Sequence, residues 1–357
     1  MNAIYPIILA GGTGTRFWPK SRVSKPKQYL SLFDNTTLIQ STAARLLGIS
    51  DAENLMVVSS VKQKQWIDEQ LPWLPLGNII YEPLQRNTAP AIGLAAIYVL
   101  NKNPDAVMVM SPADHLIRDT KAFVRNVQTA VHWIDDHPSA LITLGVPPQY
   151  PATGFGYIQC GDEADETGLC RVSRFSEKPD PERARQYLKS GDYLWNCGLF
   201  IWRADTILNA LKEFMPALYK GLELLMPVLG TPDFDRILED IYQGMPSKSV
   251  DYGVMEHTKN AFVIKAEFDW NDIGSWKEVF TETDRDENDN VVKGPVYLKD
   301  TKHCYIEAGD RTIAVIGLEN TVIVQTPDAL LICDQDKAQD VKWLVNELER
   351  NKRKDLL

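Results

Sequence analysis

Hydrophobic and polar positions alternate in two ways along the first part of the chain. Short apolar runs bounded by turn residues predict buried strands at 4–10, 55–59, 79–81, 106–110 and 140–146. Stretches with helical periodicity lie between them, at about 37–48, 61–71, 89–101 and 119–136. Strands that alternate with helices are typical of βαβ units. We therefore predict an α/β fold with a Rossmann-like, mixed but mostly parallel sheet and helices on both faces.

The pattern changes twice further along the chain. From about 153 to 283 it is mixed, with glycine-rich strands and helices near 181–190, 204–229 and 233–243. After an acidic connector at 284–290, short apolar segments recur every eight to ten residues, at 296–298, 305–307, 312–315, 322–324 and 330–332. That spacing predicts a small, solenoid-like β unit, which an amphipathic helix at 337–350 closes. We expect a large domain over 1–283 and this smaller unit over 291–357.

Composition excludes several classes of protein. With 44% hydrophobic and 24% charged residues, the chain is typical of a folded globular protein. A net charge of −10 argues against nucleic acid or an anionic membrane as a partner. Its apolar runs fall short of the roughly 20 residues that span a membrane, and its first residues lack the basic region of a signal peptide. Five scattered cysteines without a CxxC pair argue against a disulfide framework. We expect a cytoplasmic protein.

The first 33 residues depart from this acidic average, because they carry five basic residues and no acidic one. Within them, the segment LAGGTGTRFWPKSRVSKPKQYL follows the first predicted strand. A dinucleotide-binding loop would need a third glycine where Phe17 stands, and the GK[ST] of a P-loop is absent. What remains is a glycine loop whose backbone can approach phosphate, followed by Arg16 and Lys27 as phosphate contacts. The alternative is a strand turn with solvated lysines.

Two aspartates are candidate Mg²⁺ ligands. Asp114 lies in SPADH after the fourth predicted strand, and thus at the same sheet edge as the glycine loop. Asp272 lies in WNDIGSW, between two tryptophans. Mg²⁺ commonly takes one or two carboxylates together with substrate phosphates. Asp114 could instead cap a helix, and the tryptophans could simply pack their turn onto the core. His115 is a weaker candidate ligand than a packing residue.

Four further motifs offer polar or glycine positions for a ligand. They are Gly154 in TGFGYI, Glu177 and Lys178 in FSEKP, Asn196 in WNCGLF, and Asn87 with Ala89 in RNTAPAI. The glycine lets a ring lie against the backbone, and the polar side chains can bind sugar hydroxyls and phosphate. Asn87 caps a helix whose first turn of small residues lets a planar base approach. The same motifs also fit a bulge, a solvated turn and an ordinary capped helix.

Taken in order from residue 4 to about 334, these motifs resemble a known family. They are similar to the motifs of the bacterial mannose-1-phosphate guanylyltransferases, which are sugar nucleotidyltransferases. The motifs that carry the resemblance are LAGGTGTRFWP, PKQ, RNTAPAI, PADH, TGFGYI, EKP, WNxGxF, DYGVME and WNDIGSW. AGGxGTRxxP marks only the wider group, whereas PKQ, NTAPAI, PADH and WxDxGSW are more specific. The family has longer members with a metal-binding isomerase domain. Because only His303 lies beyond residue 257 among the histidines, we expect that domain to be absent here.

The resemblance implies that GMP is transferred from GTP to α-D-mannose 1-phosphate, giving GDP-mannose and pyrophosphate. The implied roles are catalysis for Arg16 and Lys27; nucleotide binding for Gly11, Gly12, Thr13, Gly14, Asn87 and Ala89; sugar-phosphate binding for Gly154, Glu177, Lys178 and Asn196; and Mg²⁺ binding for Asp114 and Asp272. The C-terminal unit makes a homo-oligomer a further expectation. Three alternatives stay open: a guanylyltransferase for a heptose or fucose phosphate, a non-catalytic regulatory homologue, and a dinucleotide-dependent oxidoreductase.

Overall fold

The computed structural model describes residues 2–12, 14–164 and 168–357, and most of their strands build one mixed sheet. Its strands are β1 Ile4–Ala10, β2 Met56–Ser60, β3 Ile79–Glu82, β4 Val107–Pro112, β5 Leu141–Val146, β6 Tyr157–Glu163, β7 Leu169–Ser176, β8 Tyr193–Arg203 and β9 Ala261–Lys265. Their order is β3-β2-β1-β4-β8-β5-β9-β7-β6. The pairs β3/β2, β2/β1, β1/β4 and β5/β9 are parallel, whereas β8, β7 and β6 pair antiparallel with their neighbours.

Helices cover both faces of this sheet, which confirms the predicted α/β fold. They are α1 Leu38–Leu46, α2 Lys64–Gln70, α3 Thr88–Lys102, α4 Thr120–Asp136, α5 Pro181–Ser190, α6 Ala204–Phe214, α7 Pro216–Leu225, α8 Phe234–Gly244 and α9 Trp276–Thr281. One apolar cluster buries α3, α6, α7 and α8 against one face, and a second buries α1, α2 and α4 against the other. Within the described ranges, no helix has the length and apolar character needed to cross a membrane.

The helix predicted over 204–229 is two helices, so this prediction was wrong. The chain turns at Met215, whose φ of −133° and ψ of 57° are not helical, and α7 then begins at Pro216. A proline has no N–H and clashes with the preceding helical turn, but it is well tolerated in the first turn of a new helix. The prediction for 337–350 also began too early, because Gln335–Asp340 forms a 3₁₀ helix.

The C-terminal unit is a small β-solenoid, as the spacing of apolar segments predicted. Its elements are β10 Val291–Lys293, β11 Val296–Lys299, β12 Tyr305–Glu307, β13 Ile313–Ile316, β14 Thr321–Gln325, β15 Leu330–Asp334 and α10 Val341–Arg350. Strands β10, β12 and β14 stack in parallel, β11 pairs with β13, and β15 closes the larger sheet antiparallel to β14. A small apolar cluster, including Cys304 and Val315, is buried between the two sheets.

Two features of this fold position the candidate site. Strands β1 and β4 are parallel neighbours, with Leu9 opposite Pro112, so the loops that follow them leave the same sheet edge, as predicted. The C-terminal unit packs directly against the first of these loops. The indole Nε1 of Trp18 donates to the carbonyl of Leu356 at 2.9 Å, and Trp18 is buried in one apolar cluster with Val341 and Val345 of α10.

Candidate active site

Two adjoining cavities open at the carboxyl edge of the sheet, one of about 550 Å³ and one of about 350 Å³. The large cavity is lined by the predicted residues Gly11, Gly12, Asn87, Gly154, Glu177, Lys178 and Asn196. The small cavity is lined by Gly14, Arg16, Lys27 and Asp114. His115 and Asp272 line both cavities and therefore mark where they meet. The structure thus brings most of the predicted residues to one place.

Two predicted residues stand apart from this arrangement. Thr13 lies outside the described residues. Ala89 lines neither cavity, because its side chain is fully buried beneath the first turn of α3 and its amide donates to the carbonyl of Lys248 at 3.2 Å. Thr88 and Ala91 form the cavity wall in its place. Nucleotide binding by Ala89 stays a prediction, and neighbouring residues of this turn do border the cavity.

Lys27 joins the segments that form the small cavity. Its side chain is buried, and its Nζ donates to Oδ2 of Asp114 at 2.9 Å and to the backbone carbonyl of Asp272 at 2.6 Å. Gly14 allows this close packing, because it has a φ of +57° and a Cβ there would lie 2.2 Å from the Cβ of Lys27. The ammonium group is consequently held in one position by two distant segments of the chain.

The two aspartates differ in their electrostatic surroundings. Burial is the largest single influence on Asp114 and disfavours its ionisation, but the charge and hydrogen bond of Lys27 together with the other favourable contacts outweigh it and lower the pKa of that carboxyl. Burial raises the pKa of Asp272 to about 6, against the opposing charge of Lys27. Asp119 caps α4 by accepting from the amide of Ala122 at 2.9 Å, so Asp114 is not the cap of that helix. Both carboxylates line the small cavity beside Lys27.

These carboxylates fit a metal that also takes oxygen ligands from its substrate. Among the residues described, no group of three or more histidine, cysteine, aspartate or glutamate side chains is arranged to hold a metal ion. Two carboxylates completed by phosphate oxygens and water are a usual Mg²⁺ environment. Asp272 accepts no hydrogen bond at its carboxylate from any other described residue, which leaves both of its oxygens available.

His115 separates the two cavities as a neutral side chain. Burial lowers the pKa of His115 to about 4. The indole Nε1 of Trp270 donates to its Nδ1 at 3.1 Å, so the proton of the neutral ring is on Nε2. That Nε2 lies 4.0 Å from Oδ1 of Asp114. That separation is longer than a hydrogen bond, and the contact with Trp270 leaves no basic nitrogen free for proton abstraction.

One end of the large cavity is rich in hydrogen-bond acceptors. The side-chain Nδ2 of Asn196 donates to Oδ1 of Asp251 at 2.8 Å. The backbone N–H of Asn196 donates to the carbonyl of Gly156 at 2.8 Å. Burial raises the pKa of both Glu177 and Asp251, and the charge of Asp251 further disfavours ionisation of Glu177. Lys178 lies 3.3 Å from Oε1 of Glu177 and is more than half exposed. Such a cluster suits a ligand with several hydroxyl groups.

Sequence reasoning missed two carboxylates of the large cavity. Asp251 lies in DYGVME, a motif of the resemblance to which no role was given, and the structure puts it beside Asn196. Glu82 ends β3, is 4% exposed, and accepts a hydrogen bond at Oε1 from the hydroxyl of Tyr242 at 3.2 Å. Burial raises the pKa of Glu82 to about 7. One signal in the sequence could have identified Glu82 as a site residue. It directly follows the predicted strand 79–81, and ligands bind at the carboxyl ends of such strands.

The chain matches known proteins over nearly its whole length. A nucleotidyl transferase family matches residues 5–289, and a MannoseP isomerase/GMP-like beta-helix domain matches residues 296–348. A mannose-1-phosphate guanylyltransferase of Klebsiella pneumoniae is 40% identical over 357 residues, 99% of this chain and 75% of that protein. One of Escherichia coli is 39% identical over 98% of this chain and 75% of its own length.

A solved structure supports the same relationship. A Thermus thermophilus protein described as a mannose-1-phosphate geranyltransferase superposes with a TM-score of 0.86 at 31% identity, covering 97% of this chain and 99% of that one. These matches confirm the family resemblance and the nucleotidyltransferase fold. The chain belongs to the nucleotidyl transferase family and, within it, to the mannose-1-phosphate guanylyltransferases.

Proposed function

We propose that this enzyme transfers GMP from GTP to α-D-mannose 1-phosphate and releases GDP-mannose and pyrophosphate. The observation that carries the proposal is the division of the site. An acceptor-rich cavity large enough for a nucleoside and a sugar adjoins a cationic cavity suited to phosphates, and the two meet at Asp272. Relatives at about 40% identity that are named mannose-1-phosphate guanylyltransferase support the choice of substrates.

The reaction needs charge management rather than a general base. A phosphate monoester has a second pKa of about 6, so the attacking oxygen of the sugar phosphate is already ionised at neutral pH. This oxygen forms a bond to the α-phosphorus of GTP, the bond from that phosphorus to the α–β bridging oxygen breaks, and pyrophosphate leaves. The obstacle is repulsion between two polyanions. Catalysis is therefore chiefly in-line positioning and charge neutralisation.

We assign the positive side chains of the small cavity to the departing pyrophosphate. Lys27 is preorganised by Asp114 and by the carbonyl of Asp272, so it can meet developing charge without reorganising. Arg16 lies on the same cavity and can bind two phosphate oxygens at once. At the other end of the site, Lys178 is sufficiently exposed to meet the phosphate of the incoming sugar, with Glu177 and Asn196 beside its hydroxyl groups.

We further propose that Asp114 and Asp272 hold the divalent metal that nucleotidyl transferases generally use, and that this metal is Mg²⁺. When bound, it would supply positive charge that reduces the repulsion between the two substrates. The protein must keep both carboxylates ionised and close together. Lys27 keeps Asp114 ionised, and the backbone contact from Lys27 to Asp272 keeps the two carboxylates on the same cavity.

Glu82 supports guanine as the base. Guanine presents two adjacent donors, N1–H and the 2-amino group, whereas adenine presents an acceptor at N1 and no 2-amino group. The Oε2 atom of Glu82 accepts no hydrogen bond from other described residues, and it lies 4.0 Å from where a Cβ of Gly11 would be. A buried carboxylate next to the glycine loop is thus an acceptor for that pair of donors. Glycine at position 11 leaves room for a base beside it.

The test is a panel of nucleoside triphosphates against sugar 1-phosphates, read as released pyrophosphate. We expect the highest kcat/KM with GTP and mannose 1-phosphate. A tenfold advantage for UTP or dTTP with glucose 1-phosphate would overturn the guanylyl assignment, and a heptose or fucose phosphate as best acceptor would overturn the sugar assignment. Binding of GDP-mannose without turnover would identify a regulatory homologue. The cytoplasmic location, the homo-oligomer and the domain limits 1–283 and 291–357 stay predictions.

A further inference from the structure

The small cavity receives one side chain from the C-terminal unit, Lys342 on α10. We propose that Lys342 binds the terminal phosphates of the nucleotide and the departing pyrophosphate, so that the C-terminal unit completes the active site. This inference rests on the proposed function, because that function makes GTP the phosphate donor and pyrophosphate the leaving group. It extends that function, because a unit outside the nucleotidyl transferase match contributes a substrate-binding residue.

Packing of α10 fixes the position of Lys342. Val341 and Val345 on either side of it are buried in one apolar cluster with Trp18. The same cluster includes Phe17, so α10 lies against the turn Thr15–Phe17 that carries Arg16. Residue 342 is exposed and projects beside that buried stripe, and its side chain borders the cavity that Arg16 and Lys27 also border. Its place is therefore set by a well-packed helix.

The charge of the small cavity calls for an anion. Arg16, Lys27 and Lys342 contribute three positive charges, and Asp114 and Asp272 contribute two negative ones. Lys27 and Asp114 neutralise each other directly at 2.9 Å. Lys20 and Lys277, which lie beside the C-terminal unit, are paired with Glu307 and Asp336, whereas lysines of the unit itself such as Lys299 and Lys337 have no carboxylate partner among the described residues. Among the described residues, Lys342 has no such partner.

A polyphosphate is the anion that fits. The triphosphate of GTP carries about four negative charges near neutral pH, and pyrophosphate carries about three. Lys342 would bind the terminal phosphates together with Arg16 and Lys27, which line the same cavity. Lysine is a flexible point charge and can follow pyrophosphate as it departs. The ordinary alternative is that Lys342 is a solvated lysine on an exposed helix face. In that case its substitution would leave the KM for pyrophosphate unchanged.

The experiment uses the full chain with Mg²⁺ and runs the reaction backwards, from GDP-mannose and pyrophosphate to GTP. Lys342→Ala should raise the KM for pyrophosphate by about tenfold or more, the value of one charge-assisted hydrogen bond, while the KM for GDP-mannose stays within about twofold. Lys342→Arg should restore most of the affinity. Lys337→Ala is the matched control, because Lys337 is exposed on the same unit but does not line the cavity.

Two outcomes would overturn the inference. One is a pyrophosphate KM in Lys342→Ala within twofold of wild type, and the other is an equal rise in both KM values, which would mean general loosening. Calorimetric titration of Mg²⁺-pyrophosphate into each variant gives a readout independent of turnover. If wild type does not convert GDP-mannose, the proposed function fails, yet the titration still decides whether Lys342 binds phosphate. If Lys342→Ala melts below wild type, Lys342→Gln serves as the neutral variant.

Discussion

Asp114 and Asp272 come from distant segments, and Lys27 brings them to one cavity. If they hold one metal ion, Asp114→Asn and Asp272→Asn should each lower kcat by about 10²-fold or more. The double variant should be little worse than either single variant, because groups that act as a unit lose their function once. Steady-state kinetics across a Mg²⁺ titration measures this. Losses that multiply would show that the two carboxylates act separately.

Glu82 makes guanine binding sensitive to pH. Its pKa is raised to about 7 by burial, and guanine donors favour the ionised form. The affinity for GDP-mannose should therefore be full above about pH 8 and about tenfold weaker at pH 6, since protonation removes the negative charge and turns one acceptor oxygen into a donor. GDP-mannose is chosen because its diphosphate has no terminal phosphate that titrates in this window. Calorimetry at a series of pH values measures the dissociation constant.

Glu82→Gln is the control for this pH dependence. It should bind GDP-mannose weakly and with a flatter pH profile. The groups that face Glu82 do not explain the effect: burial and Glu82 itself raise the pKa of Tyr242, which stays protonated, and Arg86 is bound to backbone carbonyls. Asp272, with a pKa raised to about 6, titrates in both variants. An unchanged profile in Glu82→Gln would assign the pH dependence to Asp272.

At the scale of elements, local pattern predicted the frame of the molecule well. Buried apolar runs and capped helices can be recognised from ten or fifteen consecutive residues. The observed limits of β1, β4 and α3 are therefore close to the predicted ones. Elements whose limits depend on tertiary contacts were less accurate. Strand β10 was missed, because its three residues carry one buried side chain and gain their pairing from β12. The split at Pro216 was visible in the sequence but was outweighed by the apolar periodicity around it.

The same distinction holds for the candidate site. Residues within glycine and proline motifs, such as Gly14 and Lys27, carry a local signal that points to phosphate. Asp251 and Lys342 carry none, because an aspartate before a tyrosine or a lysine in an amphipathic helix fits any solvated surface. Their relevance arises only from the packing that brings them to the cavities. Long-range placement is what the sequence left undetermined.

The turn between β1 and Lys27 depends on Gly14. Alanine there would meet Lys27 at its Cβ and would have to adopt a φ of +57°. We expect Gly14→Ala to lower the free energy of unfolding by about 1–3 kcal/mol and to lower kcat by about tenfold or more, since Lys27 must move. Gly77→Ala is the matched control, because a Cβ at Gly77 has no atom within 4 Å. Equal effects of the two substitutions would contradict this role.

At the scale of the whole molecule, the two units share one apolar core. Phe17, Trp18 and Trp276 from the larger unit are buried together with Tyr305 and Val345 from the C-terminal unit. Two ion pairs lie beside this core, Lys20–Glu307 at 2.6 Å and Arg22–Asp328 at 3.0 Å. The basic residues among the first 33 residues therefore have two different roles. Lys20 and Arg22 hold the C-terminal unit, while Arg16 and Lys27 face the small cavity.

This shared core predicts that the larger unit does not work alone. A chain ending at residue 290 keeps all of the predicted site residues but exposes the aromatic side chains around Trp18. Each large apolar side chain is worth about 1.5–3 kcal/mol when buried, so losing several approaches the whole stability of a typical domain. We expect this truncated chain to lack a cooperative melting transition and pyrophosphate-releasing activity. By contrast, full-length Asp336→Asn should melt within a few degrees of wild type, since the exposed ion pair Lys277–Asp336 contributes about 0–1 kcal/mol. A truncated chain that melts cooperatively and turns over at the wild-type rate would show that the β-solenoid is dispensable for both folding and catalysis.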